Sequence, residues 1–247
     1  MGTSAGYMPP SGGDWNSLKR QMGMLLDNPE KRNIVLSRFV TAIGGAEGFS
    51  FSNKPQAGGG GGHSFRSSSA RQTSQHVLSF FSDVHNFGLE KTIQERGLDF
   101  KDKNLEEIKD LLIDYFSEPS SDTDSDASSR AIASVLDELF DDIDTEEELE
   151  NSFSEIISTE KSEFILCGFY ERYIFELFAK VFFEDRTLHD NQEDASDILE
   201  IAQDTIKAKI ATFKCSYNLK DIDFKEQDGA DFVQGILKDI LEILEDI

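Results

Sequence analysis

The sequence contains few cysteines and histidines, two residue types from which many metal and catalytic sites are built, and its carboxylates are too numerous for any pair to be singled out as acid and base. Its 247 residues include two cysteines and four histidines, and no histidine has a second ligand four residues away or beside a cysteine pair. No Ser or Cys is accompanied by a recognisable base for nucleophilic catalysis. Two cysteines are too few for a disulfide framework, which favours a reducing compartment. We therefore expect no metal, no cofactor and no active site, and a protein that is not an enzyme.

Long uninterrupted apolar runs are also missing. The most apolar stretch, residues 164–183, contains four charged side chains: Glu171, Arg172, Glu176 and Lys180. Each would cost about 2.5–3.5 kcal/mol near the centre of a bilayer, which argues against a membrane span. The first residues lack the basic and apolar regions of a secretory signal. We expect a cytoplasmic protein without a membrane partner.

Basic residues are half as numerous as acidic ones, 24 against 48, and they are unevenly distributed. Residues 1–74 hold eight Lys and Arg and four Asp and Glu, whereas residues 75–247 hold 16 and 44. The first part is therefore mildly basic (+4) and the rest strongly acidic (−28). Because an acidic body repels nucleic acids, direct nucleic-acid binding is not expected.

Nine acidic residues and no basic one lie between Asp137 and Glu150. We interpret them as the solvent-facing sides of two helices. The alternative is an acidic docking surface or a mimic of nucleic-acid charge.

The composition divides the chain into four segments. Residues 1–27 are rich in Gly, Pro and small hydroxyl residues and predict a flexible, disordered tail. Residues 28–45 predict a short basic helix that ends at a Gly pair. Residues 46–73, with five consecutive glycines, predict a Gly/Ser-rich linker. Residues 74–247 predict an acidic all-α domain.

Apolar residues recur at helical spacing through the last segment, and no strand-like alternation is present. We predict an all-α fold with a multi-helix, bundle-like body, and helices near residues 73–88, 89–96, 105–116, 131–143, 146–157, 162–185, 194–213 and 229–247. Residues 120–129 are expected to interrupt the helices as a solvated acidic loop. Asp122–Asp126 does not match a calcium loop, since Ala stands where that loop needs Gly and Glu.

Two residues of the tail carry the candidate function. Gly2 follows the initiator Met, which is normally trimmed before so small a residue, and the exposed amine would have a pKa of roughly 7.7 to 8.0. Trp15 is the only Trp of the chain. We expect it to lie outside any core, as an anchor for a partner's pocket. The alternative is that the tail is idle.

Several features taken in order resemble a known family. They are Gly2-Thr3-Ser4 with a Gly/Pro-rich tail ending at Trp15, the basic helix and Gly-rich linker, Phe80-Phe81-Ser82-Asp83-Val84 followed by Gly88-Leu89 and Gly97-Leu98, and an Ala/Ser-rich entry into residues 131–143. Together they resemble QatB, the B component of Qat anti-phage defence systems. The resemblance implies a non-enzymatic component with three kinds of companion: a QueC-like ATP-dependent enzyme, a P-loop ATPase and a TatD-like nuclease.

The resemblance also implies a role for the tail. QueC-like enzymes activate a deazapurine carboxylate with ATP and couple it to an amine, which here would be that of Gly2. Thr3, Ser4 and Gly6 would enter the enzyme's channel, where small residues avoid clashes, and Trp15 would dock. The alternative is an acidic helical adaptor or scaffold, or a nucleic-acid mimic, with an idle tail.

Overall fold

The structure, a computed structural model, describes residues 13–22, 31–46, 68–117, 123–157, 159–186, 192–213 and 222–245. Within these ranges the chain forms ten helices and no strand, which confirms the predicted all-α fold. The helices are α1 Gly13–Met22, α2 Arg32–Ala42, α3 Ser68–Phe87, α4 Leu89–Arg96, α5 Leu105–Phe116, α6 Thr123–Phe140, α7 Glu146–Glu155, α8 Thr159–Arg186, α9 Gln192–Ile210 and α10 Gln227–Glu245. In these ranges no helix combines the length and the apolar composition that a membrane span requires.

Local signals in the sequence fix several helix ends. Asn104 and Thr145 each form a capping box. The cap side chain accepts a hydrogen bond from the backbone N–H three residues later, and the Glu side chain at that later position accepts one from the backbone N–H of the cap residue. Gly97 ends α4 in the left-handed conformation, with φ of 69°. The predicted boundaries at these three positions are confirmed.

The central helix of the fold is α8. It lies against α6, α9 and α3, and it buries apolar side chains around most of its circumference. Its largest buried side chains are Phe169, Tyr170, Tyr173, Phe178 and Phe182. A helix that is apolar on nearly all sides is stable only when it is enclosed in this way.

A second aromatic cluster joins α3, α5 and α7. The rings of Phe80, Phe81, Phe116 and Phe153 are all buried, and their centroids lie 5.1–6.2 Å apart. Most of these pairs meet edge to face, the arrangement that the charge distribution of the rings favours. The cluster joins α5 and α7 to the helix that contains Phe80-Phe81.

The predicted acidic loop over residues 120–129 is wrong from Thr123 onward, because α6 begins there. Asp124 is buried: its Oδ2 accepts the backbone N–H of Ser69 (2.9 Å) and its Oδ1 accepts the hydroxyl of Tyr173 (2.6 Å). These contacts satisfy an N–H group in the first turn of α3 and a buried phenol, which compensates for burying the carboxylate.

The predicted segment boundaries in the first third of the chain also need correction. A helix, α1, occupies part of the tail predicted over residues 1–27, and α3 begins at Ser68, inside the predicted linker 46–73. The helix predicted over residues 28–45 is observed as α2. The five consecutive glycines lie outside the described residues.

Candidate functional site

The N-terminal helices α1 and α2 are packed onto the body. In α1, Trp15 and Leu18 are buried, with 3% and 0% of their surface exposed, and Met22 is buried beside them. These three residues recur at i, i+3 and i+7, so they lie on one face of the helix, and α1 lies against α2 through this region. The expectation that Trp15 lies outside any core is therefore wrong.

The second helix, α2, also packs against the last two helices of the chain. It lies against α9 and α10, and Phe39, fully buried, meets Phe178 of α8 edge to face with centroids 5.3 Å apart. The hydroxyl of Ser37 donates a hydrogen bond to the backbone carbonyl of Glu245, at 2.9 Å. The basic helix thus folds back on the body, mainly through apolar packing.

The turn after α2 is fitted closely to the same C-terminal residue. Gly45 has φ of 68°, a conformation that favours glycine, and a Cβ placed there would lie 2.6 Å from Oε1 of Glu245. Glycine therefore serves here for the backbone conformation, whereas the flexible end of the Glu245 side chain could move away from a larger residue.

The other predicted site residues, Gly2, Thr3, Ser4 and Gly6, lie outside the described residues. Their distance from the body is nevertheless limited by the chain. Gly2 precedes Gly13 by eleven residues, which at about 3.3–3.6 Å per residue allows a reach of at most about 36–40 Å. A partner that takes the Gly2 amine must therefore come within that distance of Gly13.

A charge cluster around the buried Asp83 joins α3, α4 and the turn before α10. Asp83, 7% exposed, accepts hydrogen bonds from Nε (3.1 Å) and Nη2 (2.5 Å) of Arg96, and its other oxygen lies 2.8 Å from Nζ of Lys225. Arg96 also donates to Ser79 and to the hydroxyl of Tyr115. Burial alone would lower the pKa of Arg96, but the hydrogen bonds with Asp83 and Tyr115 raise it above its ordinary value, so the guanidinium stays charged.

A cavity of about 400 Å³ lies between α6, α8 and the end of α9. It is lined by Phe164, which is 61% exposed, and by Cys167, which is partly buried. Arg172 beside them donates to Glu138 and to Ser134. Burial raises the pKa of Glu171, which also lines the cavity.

The acidic run between Asp137 and Glu150 faces water as predicted. Of its nine acidic side chains, the eight that are described are exposed. Two of them are ion-paired, Asp137 with Lys109 and Glu138 with Arg172. In the part of the chain that the structure describes, no group of three or more His, Cys, Asp or Glu side chains is arranged to hold a metal ion.

Sequence reasoning missed the burial of Trp15 and the roles of Asp83 and Asp124. The apolar face of α1 is readable as the spacing of Trp15, Leu18 and Met22, but the high Gly and Pro content before it hides this pattern. The two aspartates have partners 13 to 142 positions away along the chain, for which no local signal exists.

Of the comparisons with known proteins, the one with family profiles identifies a family. No curated protein matches the chain, and neither does any solved structure. A family profile described as "Qat anti-phage system associated protein QatB" matches residues 58–244, about three quarters of the chain. The match covers α3 to α10, the helices that contain both aromatic clusters and the Asp83 and Asp124 contacts. The chain therefore belongs to the QatB family and is a component of the Qat anti-phage defence system.

Proposed function

We propose that this protein presents the α-amine of Gly2 to a QueC-like ATP-dependent enzyme of the same system, which conjugates a deazapurine carboxylate to it. The observation that supports this most directly is the packing of α1. Burial of Trp15 and Leu18 holds the helix on the body, while Gly2 stands eleven residues before it. The tail thus begins at a fixed helix, and Gly2 can lie at most about 40 Å from Gly13.

The chemistry requires a neutral amine and an activated acid. At about pH 7.5–8 a substantial fraction of a terminal amine with pKa roughly 7.7 to 8.0 is unprotonated. Its lone pair attacks the activated carboxyl carbon, and an amide C–N bond forms. The bond from that carbon to the ATP-derived leaving group breaks, and a proton leaves the nitrogen. This chain supplies only the nucleophile, and the partner supplies ATP binding and the activated carboxyl group.

The residues that follow Gly2 fit entry into a narrow channel. Thr3 and Ser4 are small and can hydrogen-bond, and Gly6 adds no side chain that would clash. Trp15 is reassigned: since it is buried against the protein's own helices, it positions the base of the tail and does not itself dock into a partner. The acidic body would offer surfaces to further companions, a P-loop ATPase and a TatD-like nuclease.

Intact-mass spectrometry of the protein tests the proposal. The full chain is expressed alone and together with its genomic neighbours, and the N-terminal peptide is then sequenced. We expect loss of Met1 in both samples, with an added mass on Gly2 only after co-expression. Gly2→Pro, which replaces the primary amine by a hindered secondary one, should abolish the addition. The control Ser11→Ala, in the same tail, should be modified fully.

Two outcomes would overturn the proposal: an unmodified Gly2 in the co-expressed wild type, or full modification and intact phage defence in Gly2→Pro. Either outcome would favour the second candidate function, an acidic adaptor.

The second candidate is an acidic adaptor with an idle tail, favoured by the eight exposed carboxylates between Asp137 and Glu150. Neutralising Asp141, Asp142, Asp144 and Glu147 together would then abolish phage defence, whereas deleting residues 2–12 would have no effect. The proposed conjugation predicts the reverse.

A further inference from the structure

A cavity of about 540 Å³ opens between the first three turns of α3, the end of α4 and the start of α10. Its charged lining is basic: Arg71 comes from α3, Arg96 from α4, and Lys225 from the turn before α10. The rest of the polar lining consists of His76, two Gln and two Ser side chains. No Asp or Glu is among the described residues that line it.

The basic side chains of the lining are partly balanced by carboxylates. Behind the lining, Asp83 pairs with both Arg96 and Lys225, so one carboxylate is shared by two cations. Asp124 also accepts a hydrogen bond from the lining residue Ser68 at 3.4 Å. Three basic side chains around one cavity are nevertheless unusual in a chain with 24 basic and 48 acidic residues.

The cationic groups are held in position. Asp83 fixes Arg96 and Lys225 from the buried side, and Ser79 accepts a further hydrogen bond from Arg96 at 2.8 Å. The guanidinium of Arg71 donates to the side-chain oxygen of Gln234 at 3.2 Å. Groups that are ordered before a ligand arrives lose little entropy when they bind it.

These donors suit a phosphate group. Guanidinium groups bind phosphate oxygens through paired hydrogen bonds, and an ammonium adds a point charge. The volume is within the range of sites for small molecules.

We propose that this cavity binds the phosphate group of a small phosphate ester, with nucleoside phosphates as the class that it fits in size. A nucleic acid is disfavoured because a long polyanion would also meet the acidic surface around the cavity, whereas a mononucleotide brings only a few charges. This site does not depend on the conjugation proposed for Gly2, since its residues come from α3, α4 and the start of α10.

Calorimetric titration of the full-length protein tests the site. The probes are inorganic phosphate, AMP, ATP and uncharged adenosine, at about 50 mM salt, where electrostatic binding is weakly screened. We expect AMP and ATP to bind, with affinity falling as salt is raised, and adenosine not to bind. Tighter binding of AMP than of inorganic phosphate assigns the site to a nucleoside phosphate. Equal binding of the two assigns it to the phosphate group alone.

Two variants and a control connect the binding to this cavity. Arg71→Gln and Lys225→Gln should each weaken AMP binding by about tenfold or more, and far-UV circular dichroism should confirm that both fold. Lys225 is 51% exposed, so its loss leaves Asp83 paired with Arg96. Arg130→Gln, which removes one positive charge from a 63% exposed position on α6, should bind as the wild type does.

The proposal is overturned if neither phosphate nor the nucleotides bind, if adenosine binds as tightly as AMP, or if Arg71→Gln and Arg130→Gln behave alike. Binding of a single-stranded oligonucleotide in preference to AMP would also overturn it, because the site would then serve a polyanion.

Discussion

Replacing Phe39 by Ala tests whether α1 and α2 belong to the same core as the rest of the protein. Phe39 has no exposed surface, and its ring meets that of Phe178 at an interplanar angle of 85°. Removing a buried Phe side chain costs about 3–5 kcal/mol, counting both the lost transfer energy and the cavity. The edge-to-face pair accounts for about 0.5–1.5 kcal/mol of this. Against a typical total stability of about 5–15 kcal/mol, the loss is large.

The chain offers a direct probe of this region. Trp15 is its only Trp, and it is buried in α1, so fluorescence excited selectively at Trp reports on the N-terminal helices during urea unfolding, without a contribution from the five Tyr residues. Far-UV circular dichroism reports on all helices together. In the wild type we expect both transitions to coincide. Phe39→Ala should lower the free energy of unfolding by about 3–5 kcal/mol.

The matched control is Ile34→Ala on the same helix. Ile34 is 44% exposed, so its loss should change the free energy of unfolding by no more than about 0.5 kcal/mol. The reasoning is refuted if Phe39→Ala costs as little as the control. It is refuted equally if the wild-type Trp15 emission already has the wavelength of a solvated indole in the absence of urea.

Three further results are expected. Asp83→Asn should destabilise the protein by about 2–3 kcal/mol in urea unfolding, below the range for fully buried pairs because its partners are partly solvated, while exposed Asp142→Asn should change little. Asp124→Ala should cost at least about 2 kcal/mol by the same measurement, since it leaves a buried N–H and a phenol without their acceptor. Burial raises the pKa of Glu171, so its contribution to stability is present below about pH 4.3 and is lost as the pH rises through the raised value. Glu171→Gln should therefore raise the Tm more at pH 7 than at pH 4 in scanning calorimetry, and an equal shift at both would contradict this.

The features that the sequence predicts well are those whose partners are close along the chain. The Asn104 and Thr145 capping boxes each involve residues three positions apart, and Gly97 ends its helix through its own backbone conformation. The apolar period of α8 likewise identifies it as a central helix, because a helix that is apolar on nearly all sides needs neighbours on those sides.

The features that the sequence does not predict depend on distant partners. In residues 120–129, the density of Asp and Ser favours a loop when only local preferences are considered. The tertiary contacts of Asp124 with Ser69 and Tyr173, 55 and 49 positions away, favour a helix start instead. The burial of Trp15 also depends on distant partners. Its helix packs on α2, and α2 in turn packs on helices from the other end of the chain, as the Ser37–Glu245 hydrogen bond illustrates.

The two candidate sites, Gly2 and the basic cavity, also differ in how far the sequence alone predicts them. Gly2 can be selected from sequence because its reactivity depends on being a small residue after the initiator Met. The basic cavity cannot, because Arg71, Arg96 and Lys225 come from three separate segments and no spacing pattern links them. Only the folding of α3, α4 and the start of α10 brings their charges together.

The packing of α1 and α2 divides the N-terminal region into two parts with different roles. The family match begins at residue 58, yet Trp15, Leu18 and Phe39 belong to the same buried cluster as the matched helices. Residues 13–22 and 31–46 therefore act as part of the body, although they precede the matched region. A residue buried at the base of the tail limits where the tail can go, and a partner that takes Gly2 must approach within about 40 Å of Gly13. An insertion of flexible residues after Gly12 would extend that reach without disturbing the core, whereas loss of the Trp15 side chain would free the whole arm. Conjugation of Gly2 should thus tolerate the insertion better than it tolerates Trp15→Ala, if the fixed base of the tail is what guides it to the enzyme.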